Sequence, residues 1–337
     1  IRLSLVGSEM CIRDSCITML HIKRILIPLD FSPASVAAAE YALAFGKELE
    51  AEEIHLIHIL VLGPANDLYT DVLDVQDPQH HLQNLPEEWQ ETWHRLQHQV
   101  ESVGYAFVPG MLQSDSITTP LVKYAQTHQI DLVVMATHGR TGIAHRLLGS
   151  VADGLIEYAP CPVLTLRADL AEKSYRDVRK ILVPLDFSER SAEALRVARE
   201  YAQRTDAGLT ALNVIARTEH SDLPASPWEK AYNDKNPDVR QIHKLEAFIR
   251  YAGGPKVRLQ TALMYGDPVE ASQIYLEAYP QDLILMSTRG RSGDGLFHYG
   301  STAEELVRRA PCPVLTFKQG DRIRFKHARK KTSIAEA

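Results

Sequence analysis

The chain has 337 residues, 45% of them hydrophobic and 24% charged, with a formal net charge of −6. That length fits about two domains of roughly 150 residues each, the composition is that of a soluble globular protein, and the acidic balance leaves no electrostatic footprint for nucleic acid. The longest apolar runs are strand-length, short of the ~20 residues of a membrane helix, so a cytoplasmic protein with no membrane partner is expected.

Residues 1–15, IRLSLVGSEMCIRDS, resemble the translation of a sequencing adapter and share no period with the residues after them. Residues 1–18 are therefore set aside as a non-native extension, with the natural start at Met19. From there strand and helix signals alternate. RILIPLD (24–30) is a continuous apolar run, the pattern of a strand buried on both faces. Ser32 is a good N-cap with Pro33 at the first helical position, opening a helix over 32–50. A strand follows at 53–60, a long polar connection at 63–85, a helix at 87–104 and a strand at 105–112. Then come a helix at 119–129, a strand at 131–136, a helix at 149–159 and a last strand at 162–167.

The polar stretch 168–179 is the boundary between domains spanning 19–168 and 178–318. The second unit repeats the order: KILVPLD, a helix from Ser188, LTALNVIA, a linker at 216–235 and a helix at 237–252. It continues with KVRLQTALM, PVEASQIYLEAY, DLILMS, STAEELVRRA and PVLTFK. Strict alternation of this kind predicts an α/β fold with a five-stranded parallel sheet in each unit and right-handed crossovers. Residues 319–337 form a tail with six Lys or Arg between 319 and 331, expected to be solvated and disordered.

The two units share more than a pattern. ILIPLDFS (25–32) returns as ILVPLDFS (181–188), DLVVMATHGRTG (131–142) as DLILMSTRGRSG (282–293), and APCPVLT (159–165) as APCPVLT (310–316). Any chemistry present is expected twice. Cys161 and Cys312 fall at matching places between prolines, with no CxxC pair, and read as buried packing residues in a reducing compartment.

The segment after the fourth strand carries the strongest functional signal. In each copy a glycine is followed, nine residues on, by Gly-Ser at the start of a helix: Gly139 with Gly149 and Ser150, Gly290 with Gly300 and Ser301. A helix N-terminus offers unpaired N–H groups and the positive end of a dipole, and glycine lets the backbone approach a phosphate closely. A Ser-capped helix that binds nothing has the same local sequence. The second element is the aspartate ending strand one, Asp30 and Asp186. If strands one and four are neighbours, both loops face the crevice at the carboxyl edge of the sheet. The carboxylate then suits a ribose hydroxyl or a phosphate-bridging metal, or else caps the turn into helix one. His94 and His98, spaced i, i+4 near His80 and His81, fit a solvated helix face better than a metal pair, and Trp89 and Trp93 share a packing face. Walker A, GxGxxG and GxSxG patterns are absent.

These motifs resemble those of the universal stress protein family, and the likeness covers residues 20–318. The family's nucleotide signature, Gly-two-Gly-nine-Gly-Ser/Thr with Pro-x-Asp ending strand one, maps onto Ala136, Gly139, Gly149 and Ser150 with Pro28 and Asp30. In the second copy it maps onto Ser287, Gly290, Gly300 and Ser301 with Pro184 and Asp186. The resemblance implies that the backbone around His58-Ile59 and Asn213-Val214 meets adenine, and that Val151 and Thr302 follow the Gly-Ser turn. Ala136 and Ser287 depart from the signature's first glycine. Gly266 has Asp115 as its counterpart, and Arg289 stands opposite His138, which favours the second site for phosphate.

By resemblance, the fold is two tandem flavodoxin-like, Rossmann-like domains with helices on both faces of each sheet. The last strands of the two are expected to pair at a pseudo-twofold axis, an intramolecular pseudo-dimer that can also form a homodimer. The implied function is a stress-response sensor or regulator that binds ATP, with or without magnesium, and changes protein partners with it. The alternatives are a nucleotide-free scaffold or chaperone-like protein and a slow ATPase or phosphoryl-transfer enzyme. With no Walker lysine or evident general base, at most weak hydrolysis is expected.

Overall fold

Strand β2 (Arg24–Pro28) lies near the middle of its half of the sheet, its central residues buried on both sides as the unbroken apolar run requires. A computed structural model of the chain describes residues 17–20, 22–61, 73–74, 81–137, 149–167, 177–215, 237–290, 300–318, 321 and 325–328. Helix α1 (Pro33–Glu48) follows β2, its first turn capped by Ser32, whose side chain accepts from the Ser35 N–H. Then come β3 (Glu53–Val61), the two-residue β4 (Leu73–Asp74), α2 (Glu87–Val103) and β5 (Ala106–Ser114). Helix α2 ends at Gly104, in the left-handed region at φ 95°, where its N–H reaches back to the last turn. Helix α3 (Thr118–Thr127), β6 (Leu132–Ala136), α4 (Ser150–Tyr158) and β7 (Val163–Leu166) complete the first copy.

The second copy runs β8 (Lys180–Leu185), α5 (Glu189–Thr205), β9 (Gly208–Ile215), α6 (Pro237–Ala252), β10 (Leu259–Tyr265), α7 (Pro268–Ala278), β11 (Leu283–Ser287), α8 (Ser301–Arg309) and β12 (Val314–Phe317). The sequence reading starts the third strand of this copy at Lys256, but β10 begins at Leu259. Among the described residues its ladder is with β9, in the register Leu259↔Leu209. The Arg258 carbonyl still accepts from the Leu209 N–H at 2.8 Å, but β9 starts at Gly208, so residues 256 and 257 lie beyond the end of the ladder.

Among the described residues eleven strands form one sheet in the order β10-β9-β8-β11-β12-β7-β6-β2-β3-β5-β4. Each copy contributes five parallel strands in the order 3-2-1-4-5, the two-residue β4 adds antiparallel at the β5 edge of the first, and the copies join where β12 meets β7 antiparallel. The expected pairing of the two last strands is thus present, and it removes two edges that would otherwise be open to other chains. The join is reciprocal. Thr165 Oγ1 donates to the Val314 carbonyl at 3.2 Å and Thr316 Oγ1 to the Val163 carbonyl at 3.1 Å. Arg167 reaches the Arg309 carbonyl at the end of α8 at 2.8 Å, and Lys318 reaches the Glu157 carbonyl at the end of α4, also at 2.8 Å.

Helices α1, α2, α5 and α6 cover one face of the sheet, and α3, α4, α7 and α8 the other. Each layer of core runs through both copies. On the first face Phe45 stacks on Tyr201 with ring centroids 5.8 Å apart. There Tyr201 also donates to Glu48, and the Arg204 Nε–H to the Glu48 carbonyl at 2.8 Å. Cys161 and Cys312 are both buried, and neither is in a disulfide.

Among the described residues two short strands lie outside this sheet. β1 (Ile17–Leu20) pairs antiparallel with β13 (Phe325–Ala328). Four residues of the basic tail therefore lie in a strand, against the expected disorder. β1 also begins two residues before Met19. Among the described residues no helix is long and apolar enough to cross a membrane.

Candidate functional site

The crevice expected from the sequence forms where strand order reverses. β8 pairs with β9 on one side and with β11 on the other, and β2 sits likewise between β3 and β6. Helices α5 and α8, which follow β8 and β11, lie on opposite faces of the sheet, which opens a cleft at the ends of these strands.

The turn after β8 is tightly held. Phe187 takes a left-handed φ of 64°, and its counterpart Phe31 one of 61°. This conformation is strained for a bulky side chain. Side-chain bonds hold it: Asp186 Oδ1 accepts from Ser188 N at 3.1 Å and from Ser188 Oγ at 2.6 Å, and Ser188 Oγ in turn accepts from Ser191 N to cap α5. Asp30, Ser32 and Ser35 repeat the arrangement in copy one. One carboxylate oxygen of each aspartate thus serves the turn. Oδ2 of Asp186 lies against Gly290, where an added β-carbon would be 2.2 Å away.

Across the cleft, the Gly300 N–H donates to the Thr288 carbonyl at 2.7 Å and that of Gly149 to Thr137 at 3.0 Å. Both glycines take ordinary extended conformations as N-caps, and neither α8 nor α4 has a side-chain cap bond. By contrast α1, α5 and α7 are capped by Ser32, Ser188 and Asp267. The N–H groups at the start of α8 are left for a ligand or water.

In copy two these elements enclose a cavity of about 610 Å³. Every second-copy candidate lines it. Pro184 and Asp186 come from the end of β8, and Asn213 and Val214 from β9. Ser287, Arg289 and Gly290 come from the end of β11 and its loop, and Gly300, Ser301 and Thr302 from the start of α8. Arg289 makes no ion pair among the described residues. Ser287 differs from its counterpart Ala136 in more than size, because its hydroxyl donates to the Arg289 carbonyl at 2.8 Å.

In copy one, Pro28 and Asp30 hold the corresponding place after β2. Ala136 is buried at the end of β6, and Gly149, Ser150 and Val151 open α4. His58 and Ile59 are buried on β3. His138 and Gly139 lie outside the described residues. Gly266 adopts φ 127°, open only to glycine, whereas the matching turn of copy one is made by Ser114 Oγ accepting from Ser116 N at 3.2 Å.

The sequence reading missed the wall contributed by α6. Gln241 and Lys244 line the cavity, with Lys244 Nζ 4.9 Å from the centre of the Phe187 ring. In copy one Trp89 occupies that relation, stacked on Phe31 at 4.7 Å. An exposed-face helix after a long polar linker carries no local mark of this contact. His94 and His98 are exposed, and among the described residues no group of three or more His, Cys, Asp or Glu could hold a metal.

The pattern that describes the universal stress protein family matches residues 21–167 and again 177–318. A universal stress protein of Methanocaldococcus jannaschii is 33% identical over 150 residues, covering 43% of this chain and 82% of that protein. One from Mycobacterium tuberculosis is 24% identical over 307 residues, covering 88% of this chain and 96% of its own. The crystal structure of a universal stress protein from Archaeoglobus fulgidus superposes with a TM-score of 0.61 at 21% identity, over 88% of this chain and 98% of that one, which establishes the shared fold. With both copies matched, the chain belongs to the universal stress protein family.

Proposed function

We propose that the chain binds an adenine nucleotide, ATP foremost, and acts as a stress-response sensor whose bound nucleotide selects its protein partner. The observation that carries this reading is the uncapped start of α8 at Gly300-Ser301, which opens on a cavity of about 610 Å³ beside Arg289. That volume is within the range of small-ligand sites, roughly 300–1,000 Å³. The phosphates sit at the α8 N-terminus, where backbone N–H groups, the Ser301 hydroxyl and the Arg289 guanidinium all donate. The sugar and base extend past Asp186 toward the end of β9. Copy one repeats the arrangement with Gly149 and Ser150 at the start of α4.

The donor set fits a nucleotide. Asp186 is the one carboxylate on the cavity wall among the described residues. One carboxylate suits a magnesium ion that arrives with the phosphates and keeps most of its water. The buried thiols of Cys161 and Cys312 fit a reducing, cytoplasmic setting.

Native mass spectrometry of the purified full chain, followed by titration with ATP, tests this reading. Mass added by an adenine nucleotide, or saturable ATP binding that Gly300→Val weakens, is the expected result. A chain that carries no nucleotide and gives no binding signal with millimolar ATP refutes the nucleotide reading and favours a scaffold.

A further inference from the structure

We propose that Gln241 selects the base at the second site. Held by Asn213, it presents an amide oxygen to the cavity, an acceptor that welcomes a base bearing an exocyclic amino group and rejects one bearing a carbonyl there. The proposal rests on the nucleotide reading of the cavity.

The orientation comes from a chain of forced donors and acceptors. The Leu185 carbonyl can only accept, so the Asn213 atom 2.8 Å from it is the amide nitrogen. Asn213 is buried, and its remaining polar atom, Oδ1, faces Gln241 at 2.8 Å. An oxygen there requires the Gln241 amide nitrogen as donor. Gln241 Oε1 is what remains, with no protein partner among the described residues, on a residue that lines the cavity. A backbone carbonyl at the end of β8 thus sets the direction of two amides in series.

The position suits a base. The phosphate end lies at the start of α8, which comes after β11. Because β8 stands between β11 and β9, the end of β9 lies two strand spacings away, about 9–10 Å. A ribose with its base spans that gap. Acceptor against acceptor is unfavourable because each then lacks the donor it has in water, so an analogue with the wrong polar group is discriminated against.

Copy one is built differently. His58 takes the place of Asn213, its Nδ1 donating to the Leu29 carbonyl at 2.7 Å. Its ring then meets Phe31 edge-on at 4.9 Å, and Trp89 stacks on Phe31. The wall continues as aromatic rings, so amide selection belongs to the second site alone.

The test titrates the full chain carrying Gly149→Val, which closes the first site, with ATP and with ITP, the 6-oxo analogue. The unsubstituted chain is titrated in parallel. ATP is expected to bind the second site at least roughly tenfold more tightly than ITP. Gln241→Leu removes the acceptor and is expected to bring the two affinities within about threefold, chiefly by weakening ATP. Gln241→Lys puts a donor in the same place and is expected to raise ITP relative to ATP. An unchanged ATP:ITP ratio in both Gln241 variants overturns the proposal and leaves the nucleotide reading standing, as do equal affinities at the unsubstituted second site. If neither nucleotide binds even the unsubstituted chain, the nucleotide reading fails and the proposal with it.

Discussion

Gly290 and Asp186 meet so closely that no β-carbon fits between them: one built on Gly290 would sit 2.2 Å from Asp186 Oδ2. The carboxylate cannot simply swing aside, because Oδ1 is tethered to Ser188 by two bonds of 3.1 and 2.6 Å. Gly290→Ala is therefore expected to displace either the loop or the carboxylate, at about 1–2 kcal/mol of stability and with weaker ATP binding at the second site. Urea denaturation and calorimetry read the two effects. Unchanged stability together with unchanged affinity counts against a structural contact between these residues.

Gly300 contrasts with Gly290. Its φ of −63° and ψ of 143° are open to any residue, and an added β-carbon meets nothing nearer than the Thr288 carbonyl at 3.6 Å. The fold therefore does not require a bare α-carbon here, and on the proposed nucleotide reading that bare carbon makes room for the phosphates. The double variant Gly149→Val, Gly300→Val is expected to keep its thermal midpoint within about 2 °C and to lose nucleotide binding at both sites. ATP affinity equal to that of the parent chain would place the phosphates elsewhere.

The copies are held together through one face of the sheet by Phe45 of α1 and Tyr201 of α5. Phe45 is fully buried and stacks on Tyr201 across the copies. Phe45→Ala is expected to cost about 3–5 kcal/mol, since both copies close over the space it fills. A loss below about 1 kcal/mol on denaturant unfolding would show that this face collapses around the gap.

Glu200 on α5 is buried, and its Oε2 has no hydrogen-bond partner among the described residues. Burial pushes its carboxyl up to about 7, with Arg196 pulling the other way. The native state therefore holds this proton more tightly than the unfolded chain, whose ordinary value is 4.5. The stability it provides is complete below pH 4.5 and is lost as pH rises through about 7. Glu200→Gln is expected to be more stable than the parent at pH 8 by on the order of 1–2 kcal/mol, with the gain vanishing near pH 4.5. A pH-independent difference between the two melting curves would exclude the titration of Glu200 as its source.

On the proposed reading, the donors at the start of α8 hold a nucleotide at rest. Catalysis needs groups that act more strongly on the transition state than on the bound substrate. ADP release by the purified chain is expected to stay far below ~1 s⁻¹, the low end of typical enzymes. Release at or above that rate, lost in Asp186→Ala, would make the protein an ATPase.

The duplicated blocks, the strand and helix order and the Gly-Ser turns were all legible along the chain, because each is recorded locally. A buried parallel strand needs an unbroken apolar run such as that of β2, a helix start needs a cap such as Ser32, and a close backbone approach needs a glycine such as Gly290 against Asp186. The second-copy candidates lay in short motifs for the same reason, and they converge on one cavity because β8 and β11 are neighbours. What no window of sequence held was the α6 wall. Gln241 reaches Asn213 across 28 positions of chain, and the cavity-facing side of a mostly solvated helix looks like any other. The shortened β10, limited by the start of β9, and the ladder between Ile17–Leu20 and Phe325–Ala328 likewise depend on partners far along the chain. Local pattern records whether a residue is buried; which residues meet is decided only when the sheet brings separate strand ends to one edge.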